Sequence, residues 1–234
     1  MKNKILYSFN TRLNSKLVSF CLTSLLLAYS SAALAGYKPP RTQRPPGGYT
    51  STTGTRGGCE GMGETSLRLL APTHHVGQTA SIYPTFAWFV PETKSLPMEF
   101  RLYKYGSNNQ PQLQNKWNLP SEFGIMTLSL PKNQPGLKQG ERYLWQVAIL
   151  CDFNHPSNDL VATAEVDVVE MPRVAAVEEN TRKQVDVLAS AGLWYDALGV
   201  ALKTGERDAL TELLTDLAAL EQPTVTTVST PKKN

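Results

Sequence analysis

Between Cys59 and Glu170 the chain is cut into short apolar or alternating runs, each stopped by proline or turn residues, which restricts the fold to antiparallel β architectures. The runs are 65–70, leading into Ala71-Pro72, then 79–83 and 85–90, interrupted by Pro84 and closed by Pro91. Along 98–105, Met98, Phe100 and Leu102 fall on one face and Arg101, Tyr103 and Tyr105 on the other. Met126, Leu128 and Leu130 share a face of 125–130, as do Tyr143, Trp145, Val147, Ile149 and Cys151 of 142–151. Leu160, Ala162, Ala164, Val166 and Val168 do the same in 160–169. Six to eight strands of this length predict a mainly β domain with α, an immunoglobulin/fibronectin-like antiparallel β-sandwich followed by a short helical segment. Trp88 and Trp145, on separate strands, are the expected anchors between two sheets.

After Met171-Pro172 the apolar period changes from two to 3.6. Val174, Val177, Thr181, Val185 and Leu188 form a helical stripe that ends before Gly192. A second helix is predicted over 193–203, and a third over 206–220 with Leu210, Leu213, Leu214, Leu217 and Leu220. The organisation expected is therefore a leader at 1–35, a Pro/Gly/Arg-rich linker at 36–58, the sandwich at 59–170, two to three helices at 171–221 and a disordered tail at 222–234.

The leader is read from Lys2, Lys4, Arg12 and Lys16, the apolar run 17–28 and Ala33-Leu34-Ala35 before Gly36. This is the pattern of a secretory signal peptide cleaved after Ala35. The run is too short and too rich in serine for a membrane span. Four of the 23 basic residues lie in the leader, which leaves 19 against 20 acidic, a net charge of −1. A chain so balanced gives no electrostatic case for nucleic acid. The linker carries Lys38, Arg41, Arg44 and Arg56 and little to bury, so it is expected to act as a spacer. Cys59 and Cys151, the two cysteines beyond the leader, suit a disulfide in an oxidising compartment. Periplasm or cell exterior is the expected location.

Leu70-Ala71-Pro72, Pro84-Thr85-Phe86-Ala87-Trp88, Phe100-Arg101-Leu102-Tyr103, the run 140–145, Cys151 and 191–198 together resemble a secreted cyanobacterial family catalogued as domain of unknown function 928. The resemblance covers roughly 60–200 and implies export and a sandwich-plus-helices layout. Residues 191–198 are also similar to one unit of a tetratricopeptide repeat, a single unit that has no repeated neighbour to bury its face.

No Gly-x-Ser-x-Gly elbow and no phosphate loop occurs, and the expected disulfide removes both cysteines from thiolate chemistry. No catalytic residue and no cofactor is therefore assigned, and a non-catalytic binding or scaffolding domain is expected. Its binding face is placed at Arg101, Tyr103 and Tyr105, where amphipathic rings beside a guanidinium suit an envelope polysaccharide. One alternative is an accessory subunit docking on an envelope protein through its helices. A second is a metal-dependent hydrolase in which His74 or His75 joins His155 and Asp159, although this spacing matches no closed zinc pattern and no metal site is assigned.

Overall fold

The computed structural model describes residues 36–41, 59, 67–173 and 180–221, all within the second of the two units into which the chain divides, Ala35–Asn234. The expected leader, most of the linker and the tail lie outside the described residues. Eight strands form two sheets: β1 (Arg68–Leu69), β2 (Gly77–Thr79), β3 (Thr85–Val90), β4 (Pro97–Tyr105), β5 (Pro111–Pro120), β6 (Gly124–Ser129), β7 (Arg142–Ile149) and β8 (Leu160–Val168). The three-stranded sheet has the order β1-β3-β6 and the five-stranded sheet β2-β8-β7-β4-β5. The domain is mainly β, with three helices at its C-terminal end.

The alternation read from the sequence sets which faces are buried. Phe100 and Leu102 of β4, Trp145 and Val147 of β7, and Ala162 and Ala164 of β8 are buried from the five-stranded sheet. Phe86 and Trp88 of β3 meet them: Phe86 lies 5.3 Å from Phe100 and 5.0 Å from Trp145, centroid to centroid, and Trp88 lies 5.8 Å from Phe100. Tilted aromatic pairs of this kind each add about 0.5–1.5 kcal/mol beyond the area they bury. The Trp88 indole N–H, fully enclosed, has no partner among the described residues.

Three details depart from the expectation. First, β2 pairs in parallel with β8, Gly77 beside Val166 and Thr79 beside Val168, so the larger sheet is not antiparallel throughout. The chain leaves β1 in one sheet and enters the edge of the other, and the rest of the sandwich serves as the long crossover a parallel pair needs. Second, the run 79–83 turns away after Thr79, because Thr79 Oγ1 accepts from Ser81 N–H and Ser81 Oγ from Tyr83 N–H. Such local side-chain bonds compete with a strand ladder. Third, β5 was not expected: only Trp117 and Leu119 alternate inward, and both are just partly buried, while Leu113 is exposed. It is an edge strand, polar, bounded by Pro111 and Pro120 and bearing Lys116, the composition that keeps an edge from pairing with another chain. A register shift between Leu102 and Tyr103 accommodates it against β4.

The helices are α1 (Thr181–Ser190), α2 (Trp194–Thr204) and α3 (Arg207–Leu220). Asn180 caps α1 by accepting from Lys183 N–H at 3.0 Å, and the turn into α2 uses Gly192 at φ +82. Three consecutive residues at the start of α2 fix the helices to the sheets. Trp194 Nε1 donates to Leu70 C=O at 2.9 Å, and the Tyr195 hydroxyl accepts from Trp145 Nε1 at 2.9 Å. Asp196 Oδ2 accepts from Ala80 N–H at 2.8 Å. Beyond α3, Glu221 reaches back and accepts from Thr73 N–H.

Residues 36–41 differ from the expected spacer. Tyr37 is buried, with its ring 4.9 Å from Trp194 and its hydroxyl 2.7 Å from His75 Nε2. Lys38 N–H donates to Ala189 C=O at 3.1 Å. One aromatic residue in an otherwise polar stretch suffices to seat it where helix and sheet meet. Cys59 and Cys151 form a disulfide, with Cα atoms 4.7 Å apart.

Candidate functional site

The outward face of the five-stranded sheet holds Arg101, Tyr103 and Tyr105, and β7 and β8 give them partners. Opposite Arg101 stands Gln146, whose Oε1 accepts from the guanidinium at 2.9 Å and from the Tyr103 hydroxyl at 3.4 Å. Glu99 accepts from Arg101 Nε at 2.8 Å and from Lys116 Nζ at 2.9 Å. The Lys116 ammonium, with Arg101 behind it, holds the Glu99 carboxyl below its ordinary pKa against the opposing effect of burial. Tyr105 donates to Glu165, a carboxylate enclosed on this face, and Arg142 pairs with Glu165 at 3.3 Å and with Asp167 at 2.8 Å. The structure thus brings Arg101 and Tyr103 together on one amide and sends Tyr105 to a separate ionic cluster. All three are half-buried, and their polar atoms are engaged within the sheet.

Around the edge of β4 and β5 lies a concavity of about 320 Å³. Leu102 and Lys104 of β4, Asn115 and Trp117 of β5, Tyr143 of β7 and the connection 130–138 line it. β5 positions Trp117 opposite Phe100, so the indole rests edge-on against that ring at 5.7 Å while its other side meets solvent. Asn115 Nδ2 faces Gln134 Oε1 at 3.4 Å across the opening, and Lys104 Nζ pairs with Glu141 at 3.2 Å. The Tyr143 hydroxyl accepts from Lys138 N–H at 3.0 Å and so pins the connection that forms the rim. An aromatic wall, side-chain amides and ammonium groups in one open cleft can hold a polar, ring-containing ligand. Sequence reasoning passed over this site because β5 itself was not legible. The available signal was Trp117, a lone large aromatic in the polar run Gln114-Asn115-Lys116-Trp117-Asn118.

The suggested metal ligands are dispersed. His75 is buried against Tyr37, and burial pushes its pKa down, with the neighbouring Glu221 opposing and His74 assisting. His155 sits on an exposed turn with Nδ1 2.5 Å from Asp152, which lowers the Asp152 pKa. Asp159 accepts from Cys151 N–H at 3.0 Å. Among the described residues no group of three or more His, Cys, Asp or Glu side chains is placed to hold a metal ion.

Fold and cleft define a class: a disulfide-bonded, two-sheet β domain closed at one end by three helices and open along its β4–β5 edge. The chain belongs to the family described as Domain of Unknown Function (DUF928), which matches residues 51–230. No curated protein matches it.

Proposed function

We propose that this chain is an exported, non-catalytic binding domain of the cell envelope whose β4–β5 cleft receives a polyhydroxylated ligand, a segment of envelope polysaccharide. The observation that carries this reading is the cleft itself, where the Trp117 indole and the Asn115 and Gln134 amides converge. A sugar ring offers an apolar face to an indole and hydroxyls to amides. The leader pattern and the disulfide favour an oxidising compartment, periplasmic or extracellular, and the family resemblance favours a cyanobacterial envelope. The apolar side chains of α2 are used inside the chain, which favours binding through the sheet edge over docking through the helices. The sheets themselves read as an immunoglobulin/fibronectin-type sandwich, supported by the strand orders and by Tyr143, whose hydroxyl bonds back to residue 138 as a tyrosine corner does. The disulfide joins Cys59 to Cys151 rather than bridging two core strands, a departure from antibody domains.

The test is affinity electrophoresis through purified envelope polysaccharide. Trp117→Ala and Asn115→Ala are expected to lose retention about tenfold, the equivalent of roughly 1.4 kcal/mol, while Tyr103→Phe keeps it. Unchanged retention in both cleft variants removes the reading.

A further inference from the structure

Tyr37 N–H donates to Asp216 Oδ2 of α3 at 2.9 Å, and a Cβ placed on Gly36 would stand 2.6 Å from the same oxygen. Residue 36 therefore sits directly against the Asp216 carboxylate. The sequence independently marks the bond between Ala35 and Gly36 as a leader-peptidase site. We propose that hydrolysis of this bond delivers the Gly36 α-amine to Asp216, and that their ion pair fastens the new N-terminus to the helical end of the domain. The inference rests on the export reading above.

In the hydrolysis, water adds across the peptide bond, giving the Ala35 carboxylate and the Gly36 amine, which is protonated near neutral pH. Before cleavage the nitrogen of residue 36 is a neutral amide. The charges around it are unbalanced: Asp216 and Glu212 of α3 and Asp186 of α1 line one small pocket. Arg182 of α1 ion-pairs with Glu212 and, at 3.5 Å, with Asp186. Arg182 thus serves Glu212 and Asp186, and the released ammonium supplies a positive charge beside Asp216, which accepts from Tyr37 N–H. Tyr37, wedged between His75 and Trp194, holds the amine in register.

The full chain is expressed with its leader in an exporting Gram-negative host, and the purified product is weighed intact. A mass beginning at Gly36 is expected; a product that retains 1–35 overturns the export reading, and the proposal with it. On the Gly36 product, the α-amine is titrated by the pH dependence of its acylation. The midpoint is expected about one unit above the ordinary range of about 7.7–8.0, and Asp216→Asn, which keeps an acceptor for Tyr37 N–H, returns it to that range. If that variant does not fold, a chain extended by one alanine before Gly36 serves, and its amine should titrate ordinarily. A Gly36 amine that titrates identically in the processed chain and in either variant overturns the proposal while leaving export intact.

Discussion

The Tyr195 hydroxyl accepts from Trp145 Nε1 and donates to Glu165 C=O, each at 2.9 Å, in a site closed to solvent. Burial pushes its pKa far above the ordinary phenol value, so the proton needed for the second bond is retained. Tyr195→Phe keeps the ring against Phe86 and Trp145 and deletes both bonds, leaving a buried donor and a buried acceptor behind. Each costs about 1–3 kcal/mol when orphaned, so a loss of about 3 kcal/mol in urea unfolding is expected, with the far-ultraviolet spectrum unchanged. His75 gives the residue-scale prediction for pH. Burial lowers its folded pKa below the unfolded value of about 6.5. The unfolded chain then binds more protons, and stability is complete above about pH 6.5 and falls as pH drops toward the folded pKa. Glu221 opposes this effect and His74 adds to it. Unfolding midpoints between pH 7.5 and 5.0 should therefore fall in the natural chain and fall less in His75→Gln; equal slopes would show that His75 does not set them.

At the scale of elements, the disulfide is the feature whose effect is easiest to isolate. It closes a separation of 92 positions, for which loop entropy gives about 4.6 kcal/mol. Cys59→Ser with Cys151→Ser is expected to lose stability of that order, and the natural chain, denatured without reductant, should titrate no thiol at either position. The elements that were legible in the sequence are those with a buried face. β3 is matched residue for residue, β4, β6, β7 and β8 within two residues at either end, and α2 and α3 within one. The alternation that places Phe100 inward also places Arg101, Tyr103 and Tyr105 outward, and the burial pattern agrees. What alternation does not encode is whether an outward side chain is free. Cross-strand partners such as Gln146 and Glu165 decide that, and they lie more than 40 positions away in sequence. β5 was illegible for the opposite reason: an edge strand buries little, so its apolar period is confined to Trp117 and Leu119 and is broken by Asn115, and the cleft built on it was hidden as well.

Taken whole, the sheets and helices share one core. Leu193, Trp194, Tyr195 and Leu198 are all enclosed, and they belong to the same cluster as Phe86, Trp88 and Trp145. Fully burying four such side chains contributes about 6–12 kcal/mol at about 1.5–3 kcal/mol each. That is comparable to the entire stability of an ordinary domain, about 5–15 kcal/mol. The helical segment is on this arithmetic part of the sandwich's interior, although the sequence presents it after a clean change of period at Met171-Pro172. A chain ended at Glu170 keeps every strand and loses α2, together with the acceptor of Trp145 Nε1 and the carboxylate that holds Ala80 N–H. Such a chain is expected to retain β-type far-ultraviolet ellipticity, lose its near-ultraviolet signal, bind a hydrophobic dye and unfold without a cooperative transition. Cooperative unfolding with a native near-ultraviolet spectrum would instead establish the sheets as an independent domain. The outcome also governs how retention in affinity electrophoresis is read, because polysaccharide retained by a truncated chain with an open core reports exposed apolar surface, whereas Asn115→Ala leaves the aromatic contacts of that core in place.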